Sequence, residues 1–387
     1  MKRFIAWLAA LSGVAALVFF GLLPPYVESR MNRVIGPQPP TASARAAALH
    51  KTLQIADMHA DTLMWRRDLL LRGDRGQVDV PRLTDGNVAL QILSSVTKTP
   101  KGQNYDANGA DSDNITLLTI AQGQPSRTWG SLIERSLWHA EKLDRFAARS
   151  DGRLRAIRTK ADLAALLAER AAGKPVTGAL LSVEGLHNIK GARANLDRLY
   201  DSGFRMAGLT HFFDNEVAGS MHGLRKGGLT PFGIEIVRAM EAKGMVVDIA
   251  HCSHQCVAEV LKTAKRPVVS SHGGVQATCK VNRNLTDDEV RGIARTGGVV
   301  GIGYWDAAVC DTSPAGIVRA IVHVRDLVGI DHVGLGSDYD GAVTTQFDTS
   351  RLDSITQGLI SAGFSDADIA KIMGGNVLRL LAVVLPS

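Results

Sequence analysis

A (β/α)8 barrel carried on an N-terminal membrane helix is the fold class this sequence predicts. Three observations predict it. Eight short, near-continuous apolar runs recur along the chain, the pattern of parallel strands buried on both faces. Longer stretches of helical pattern separate them, giving eight strand–helix units with no linker between. A further apolar run at the N-terminus is long enough to span a hydrocarbon core as a helix. An open, doubly wound sheet is the alternative that pattern alone allows.

The chain begins with Lys2 and Arg3, followed by apolar residues from Phe4 to Leu23 and then by Pro24-Pro25. The run is longer than the apolar region of most cleaved signal peptides, and no small-x-small cleavage site directly follows. It reads as a signal anchor over residues 1–24, ended by the two prolines, with Lys2 and Arg3 held on the inner side. A long signal peptide cut near Ala42–Ala48 is the alternative. Either reading exports the body of the protein. The anchor reading makes it a single-pass protein of the inner (cell) membrane, with the body on the periplasmic or outer side. Residues 25–48, stiffened by Pro37, Pro39 and Pro40, read as a tether, and 49–387 as the barrel.

Within the barrel the expected strands are Leu53–Met58, Val88–Val96, Thr177–Val183, Met206–Thr210, Met245–Ala250, Pro267–Ser271, Gly298–Gly303 and His332–Gly336. Expected helices include Leu163–Ala172, Ala194–Ser202, Pro231–Lys243, Cys256–Ala264, Asp287–Thr296 and Pro314–Val328. Thr286-Asp287-Asp288-Glu289 has the form of an acidic helix start. The stretch Thr97–Lys174 exceeds one crossover and is expected to hold several helices.

The net charge of +6 is modest for 387 residues, and basic residues are interleaved with acidic ones. Aromatics are few and do not alternate with basic residues, which argues against a nucleic-acid surface. Four cysteines, without a Cys-x-x-Cys pair, make neither a disulfide scaffold nor a cysteine zinc site. Cys252 and Cys256 are expected as small buried groups near a helix start.

The chemistry is concentrated at the strand ends. Strand one closes on His59-Ala-Asp61, strand three on Val-Glu184-Gly and strand four on Leu-Thr-His211. Strand five closes on Asp-Ile-Ala-His251, strand six on Ser-Ser-His272 and strand eight on Gly-Ser-Asp338-Tyr-Asp340-Gly. Residues i and i+2 of a strand share a side, so His59 and Asp61 aim together. A parallel barrel delivers every strand's C-terminal end to one face. A lone histidine there is usually a polar cap, and Asp338 and Asp340 beside Gly341 could be simple turn formers. Four histidines and several acids at one face are different, because burying so many ionisable groups is costly unless cations hold them. The set exceeds what one tetrahedral zinc uses and suits two metals sharing a carboxylate. Such a pair lowers the pKa of bridging water and polarises a carbonyl, which fits amide or ester hydrolysis. The other histidines, His50, His139, His187, His222, His254, His323 and His332, read as structural.

These motifs, with Asn-Arg283-Asn and Gly-Gly-Asn376-Val-Leu-Arg, resemble in order those of the zinc membrane-dipeptidase family, from about Leu53 to Leu385. The resemblance implies a (β/α)8 barrel of the metal-dependent hydrolase kind and a zinc metallo-dipeptidase with two Zn2+ per chain. A hydroxide bridging the metals would cleave dipeptides, including those with a C-terminal D-residue. It implies His59 and Asp61 on one zinc, His251 and His272 on the other, and Glu184 bridging. His211 would contact substrate and steady the oxyanion, Arg283 would hold the substrate's C-terminal carboxylate, and Asp338 would handle the proton of the attacking water. Asn376 is expected to support the C-terminal helix. Many members of the family are homodimers, so a homodimer is an expected assembly.

The loop after His211 departs from the mammalian pattern beyond Asn215, a residue expected to bind substrate. The C-terminus, too short for the lipid-anchor signal of the mammalian enzyme, is expected to close the barrel. The rival is a metal-dependent amidohydrolase acting on N-acyl amino acids or lactones. Many such hydrolases open with His-x-His and use a modified lysine, whereas here the opening is His-x-Asp and no lysine ends a strand. A binding protein with a decayed site is a third reading, opposed by the complete ligand set.

Overall fold

The eight apolar runs form the barrel. In a computed structural model describing residues 1–387, the strands are β1 (Ile55–Ala60), β2 (Val88–Val96), β3 (Thr177–Glu184) and β4 (Phe204–Gly208). They continue as β5 (Val246–Asp248), β6 (Val268–Ser270), β7 (Val299–Ile302) and β8 (Val333–Leu335). Every neighbouring pair is parallel, and the ring closes where Leu335 of β8 pairs with Asp57 of β1. Burial separates the strand residues into two sets. Met58, Ile92, Leu180, Met206, Val246, Val269 and Val299 form one cluster with the C-terminal helix Asn376–Val384, making the lumen and its floor. Their alternates, such as Leu181, Ala207, Val247 and Val300, join the larger cluster under the surrounding helices.

The expected helices appear with shifts of a few residues, as Lys160–Ala171, Arg193–Asp201, Pro231–Ala242, His254–Thr263, Asp287–Arg295 and Pro314–Val328. Thr286 and Glu289 form a capping box. Between Thr97 and Lys174 lie four helices and a short strand, Leu154–Ala156, that extends the sheet beside β3. The chain's end does close the barrel: Asn376 Nδ2 donates to Ile330 O and Val333 O, tying the last helix to β8.

The N-terminal region corrects the sequence reading. Pro24-Pro25 do not end the helix, which runs Lys2–Met31 and is the one helix long and apolar enough to cross a membrane. A π-helical turn, Leu17–Leu22, precedes the prolines. Pro24 has no N–H to offer the carbonyl of Phe20, and Arg66 Nη1 takes that acceptor at 2.6 Å. Nor does the following segment hang free. Glu28 is buried and pairs with Arg67 and with Arg75 Nε (2.9 Å). Asn32 Oδ1 accepts from Ala342 N, and Arg33–Val34 pairs in parallel with Thr344–Thr345. Ser43 then caps the helix Ala44–Thr52.

Candidate metal centre

The C-terminal rim of the barrel gathers the histidines and acids into one buried cluster around Glu184. Glu184 is the last residue of β3, and its Oε1 lies 3.0 Å from His251 Nε2, 3.3 Å from His272 Nε2 and 3.7 Å from His59 Nε2. Its Oε2 lies 3.4 Å from His211 Nε2. His59 Nε2 is 3.6 Å from Asp61 Oδ1 and 3.8 Å from Asp338 Oδ1. His251 Nε2 and His272 Nε2 approach to 2.9 Å. Three overlapping groups have ligand atoms close enough to hold an ion: His59, Asp61 and Glu184; Glu184, His211 and His251; and His59, Asp248 and His272. Glu184 and His59 each belong to two of them. His211 also falls within ligand reach, beyond its expected substrate contact.

The electrostatics favour cations. Burial holds the His211, His251 and His272 imidazoles well below their ordinary range, so they are neutral and have lone pairs to give. Burial also opposes charge on His59, but Asp61, Glu184 and Asp338 outweigh it and raise that imidazole to about 10. Burial and the nearby Asp61 charge push Glu184 well above the carboxylate range. Burial likewise raises Asp338, to about 7. Two buried atoms, His59 Nε2 and Asp61 Oδ1, have no hydrogen-bond partner in the protein. Three neutral imidazoles, a fourth crowded by surplus carboxylate, and orphaned donor atoms together fit a metal site, whose cation would take the place of the His59 proton.

The backbone is bent to build this site. His251 and Asp338 adopt left-handed conformations, φ 64° and 61°, which non-glycine residues rarely hold without surrounding constraint. Gly341 permits the close packing beside them, since a Cβ there would stand 2.3 Å from Asp338 Oδ1 and 2.9 Å from Asp61 Oδ2.

Two positioning residues escaped the sequence reading. Asp57 accepts from His59 N (3.0 Å), Ser337 N (3.0 Å) and Gln91 Nε2 (3.1 Å), clipping the end of β1 to that of β8. Asp248 Oδ1 accepts from Ala250 N (3.0 Å) and Ser271 N (2.9 Å), clipping β5 to β6. Their signal was present: each is an acid embedded in an apolar run just before a metal-site histidine.

Arg283 is buried, stacks over Trp305 at 4.6 Å and places Nη2 3.3 Å from His251 Nε2. It has no carboxylate within salt-bridge distance, and burial lowers its pKa. A guanidinium buried without a counterion beside a cavity is a receptor for an anionic group.

Asn215 does not face this cavity. Its Nδ2 donates to Leu209 O (2.9 Å), and its Oδ1 accepts from Val217 N and Ala218 N. The amide is consumed in folding its own loop. The loop's contribution to the cavity is Phe212, stacked on His222 at 4.6 Å. His222 is therefore part of the cavity's supporting shell, whereas His50, His139, His187, His254, His323 and His332 bond to partners elsewhere. Asp340 also turns away: it bonds Thr62 Oγ1 (2.8 Å), Gln77 N (2.7 Å) and Arg67.

Cys279 and Cys310 form a disulfide that joins the loops after β6 and β7. Cys252 and Cys256 are free and buried at the start of the helix His254–Thr263.

The profile of the family described as "Membrane dipeptidase (Peptidase family M19)" matches residues 43–385. Over 215 residues the chain is 37% identical to "Dipeptidase aclJ" of Aspergillus oryzae, covering 53% of this chain and 51% of that protein. The chain thus spans about half the length of the curated relatives it matches. Among solved structures it is similar to the probable dipeptidase PvdM from Pseudomonas aeruginosa (TM-score 0.73, 20% identity, 88% of this chain and 98% of that one). It is also similar to a metallo peptidase from Rhodobacter sphaeroides liganded with a phosphinate mimic of the dipeptide L-Ala-D-Ala (TM-score 0.72, 21% identity, 86% and 99%). At these identities the structural likeness shows the fold.

Proposed function

Because the chain belongs to the membrane dipeptidase family of metallopeptidases, we propose that it is a binuclear zinc dipeptidase. One observation carries the substrate class. The unpaired Arg283 guanidinium lies 3.3 Å from His251, a residue of the metal cluster. A carboxylate held there leaves room for about one residue before the scissile carbonyl reaches the cluster. That spacing selects the peptide bond next to a free C-terminal residue, the one bond a dipeptide offers.

In this reading His59 and Asp61 would hold one ion, His251 and His272 the other, and Glu184 would contribute to both. The ions would supply Lewis acidity toward the peptide carbonyl and ionise water near neutral pH. Arg283 fixes the substrate's C-terminal carboxylate through its two-point fork. His211, a neutral imidazole beside Glu184 Oε2, donates toward the carbonyl oxygen as charge develops. Asp338, whose Oδ1 stands 3.8 Å from His59 Nε2 at the rim of the cluster, accepts the proton of the attacking water and returns it to the leaving amine. Arg283 grips the carboxylate rather than the Cα substituent, so a C-terminal D-residue is accepted. The mimic of L-Ala-D-Ala on a protein of the same fold supports this.

The helix Lys2–Met31 anchors the enzyme, with Lys2 and Arg3 inside and the barrel on the periplasmic or outer side. The Cys279–Cys310 disulfide suits that compartment. A homodimer completes the proposal, by analogy with the family.

The test is metal analysis of the purified full chain with assay of L,L, L,D, glycyl and C-terminally amidated dipeptides, N-acyl amino acids and lactones. Two zinc per chain and hydrolysis of free-acid dipeptides are expected. Turnover confined to N-acyl amino acids or lactones would transfer the site to the amidohydrolase reading. Chelation should abolish activity, and zinc should restore it.

A further inference from the structure

We propose that the outer end of the membrane helix is a wall of the active-site cavity, selecting dipeptides whose N-terminal residue has a large apolar side chain. The proposal rests on the dipeptidase reading and deepens it. The metal cluster opens into a cavity of about 580 Å³. Asp61, Glu184 and Asp338 line it together with Leu23, Val27 and Met31. Those three residues stand at positions i, i+4 and i+8, a single stripe along one helix face.

Buried contacts fix the direction of that stripe. Glu28, one position beyond Val27, is held by Arg67 and Arg75, and Asn32 is held by the backbone of Ala342. Val27 packs against Met64, Trp65, Val96 and Ile115, which follow or end β1 and β2. Leu23 and Met31 remain 37% and 42% exposed, too open for core residues and placed where a ligand would cover them.

The ring order then assigns the wall to one end of the substrate. Arg283 follows β6, and Val96 ends β2; four places apart in a ring of eight, they lie across the rim from each other. With its carboxylate on Arg283 and its peptide carbonyl over Glu184, a dipeptide extends its N-terminal residue toward Val27. An apolar side chain there would displace water from an apolar surface, whereas glycine would leave that surface wet. Leu23 to Met31 rises about 12 Å along the helix, so the wall lies just beyond the segment that would cross the bilayer.

The test uses the full chain in detergent micelles, with kcat/KM measured for Leu-Gly and Gly-Gly. The parent should prefer Leu-Gly by roughly ten-fold or more, a usual value for several methylenes in an apolar pocket. Leu23→Ser, Val27→Ser and Met31→Ser combined should cut that ratio about ten-fold, mainly through KM. Val27→Phe, which narrows the cavity at this wall, should also shift preference toward Gly-Gly, so the idea does not depend on one folded variant. Tyr26→Ser, on the same helix but outside the cavity lining, should keep the parental ratio. A parent that hydrolyses both dipeptides equally, or a folded triple variant with the parental ratio, overturns the wall. A parent that hydrolyses no dipeptide at all overturns the dipeptidase reading itself.

Discussion

Asp338 and Asp340 stand two residues apart after β8, and exchanging each for asparagine should break different things. Both have φ 61°. Asparagine tolerates that left-handed conformation as well as aspartate does, so backbone strain does not confound the comparison. Asp340 is fully buried, and both of its oxygens accept hydrogen bonds, from Gln77 N on one and Thr62 Oγ1 on the other, with Arg67 paired to it as well. In Asp340→Asn the new amide N–H2 must face one of these donors, and Arg67 keeps only Glu28 as counterion. Removing one member of a buried ion pair costs about 3 kcal/mol, toward the low end because Glu28 remains. Unfolding entropy for a domain of about 340 residues is roughly 0.7 kcal/mol/K, so Tm should fall by about 4 °C. Turnover of the folded protein should stay within a few-fold of the parent.

Asp338 makes no such bonds. Its Oδ1 sits 3.8 Å from His59 Nε2, and Gly341 packs against it. Asp338→Asn keeps the shape and removes the proton acceptor, so kcat should fall by roughly two to four orders of magnitude. Tm and zinc content should stay near those of the parent. The assay is thermal melting, metal analysis and dipeptide turnover on the three proteins side by side. If Asp338→Asn comes out metal-free, the residue is a ligand and not a base. If Asp340→Asn instead loses turnover at an unchanged Tm, the assignment of the two residues is reversed.

Three further outcomes are expected. Glu184→Gln should lose metal and nearly all turnover, and Glu184→Asp should fail too because the shorter arm no longer reaches both sites; metal analysis showing two zinc per chain in either would remove the bridge. Arg283→Lys should raise KM for free-acid dipeptides, and an amidated dipeptide should already be a poor substrate of the parent, so equal turnover of acid and amide would defeat the carboxylate role. Cys279→Ser with Cys310→Ser opens a loop with a sequence separation of 31. It should cost about 4 kcal/mol and lower Tm by about 5 °C, with little further effect of a reductant, whereas a reductant should move the parent's Tm by a similar amount.

The barrel was legible because its strands carry their signal locally. A strand buried on both faces must be apolar throughout, so Val88–Val96 or Val299–Ile302 announces itself without reference to its neighbours. The metal cluster was legible for a related reason. Parallel strands bring their C-terminal ends together, so His59, Glu184, His211, His251 and His272 could be read as neighbours from strand ends alone. Asp57 and Asp248 lay inside the apolar runs and were passed over. A buried acid whose partners are backbone N–H groups has no periodicity to mark it. Asn215 failed in the opposite direction: a motif position four residues past His211 looked like a substrate contact, but a short polar amide is equally suited to closing its own turn.

The segment between the membrane run and the barrel was misread for a stronger reason, because nothing local reveals its partners. Pro24-Pro25 normally stops a helix, and here it is accommodated by an arginine 42 positions beyond Pro24, bonded to the carbonyl the proline cannot serve. Asn32 and Arg33 read as polar linker residues, yet they bond to Ala342 and pair with Thr344 across some 310 positions of sequence. Those contacts close on the loop after β8 that carries Asp338 and Asp340. Glu28 shares Arg67 with Asp340, so one chain of buried charges runs from the N-terminal helix to the loop that carries Asp338. A free tether would have left the N-terminal helix and that loop independent. This connection makes the position of the helix part of the geometry of the site.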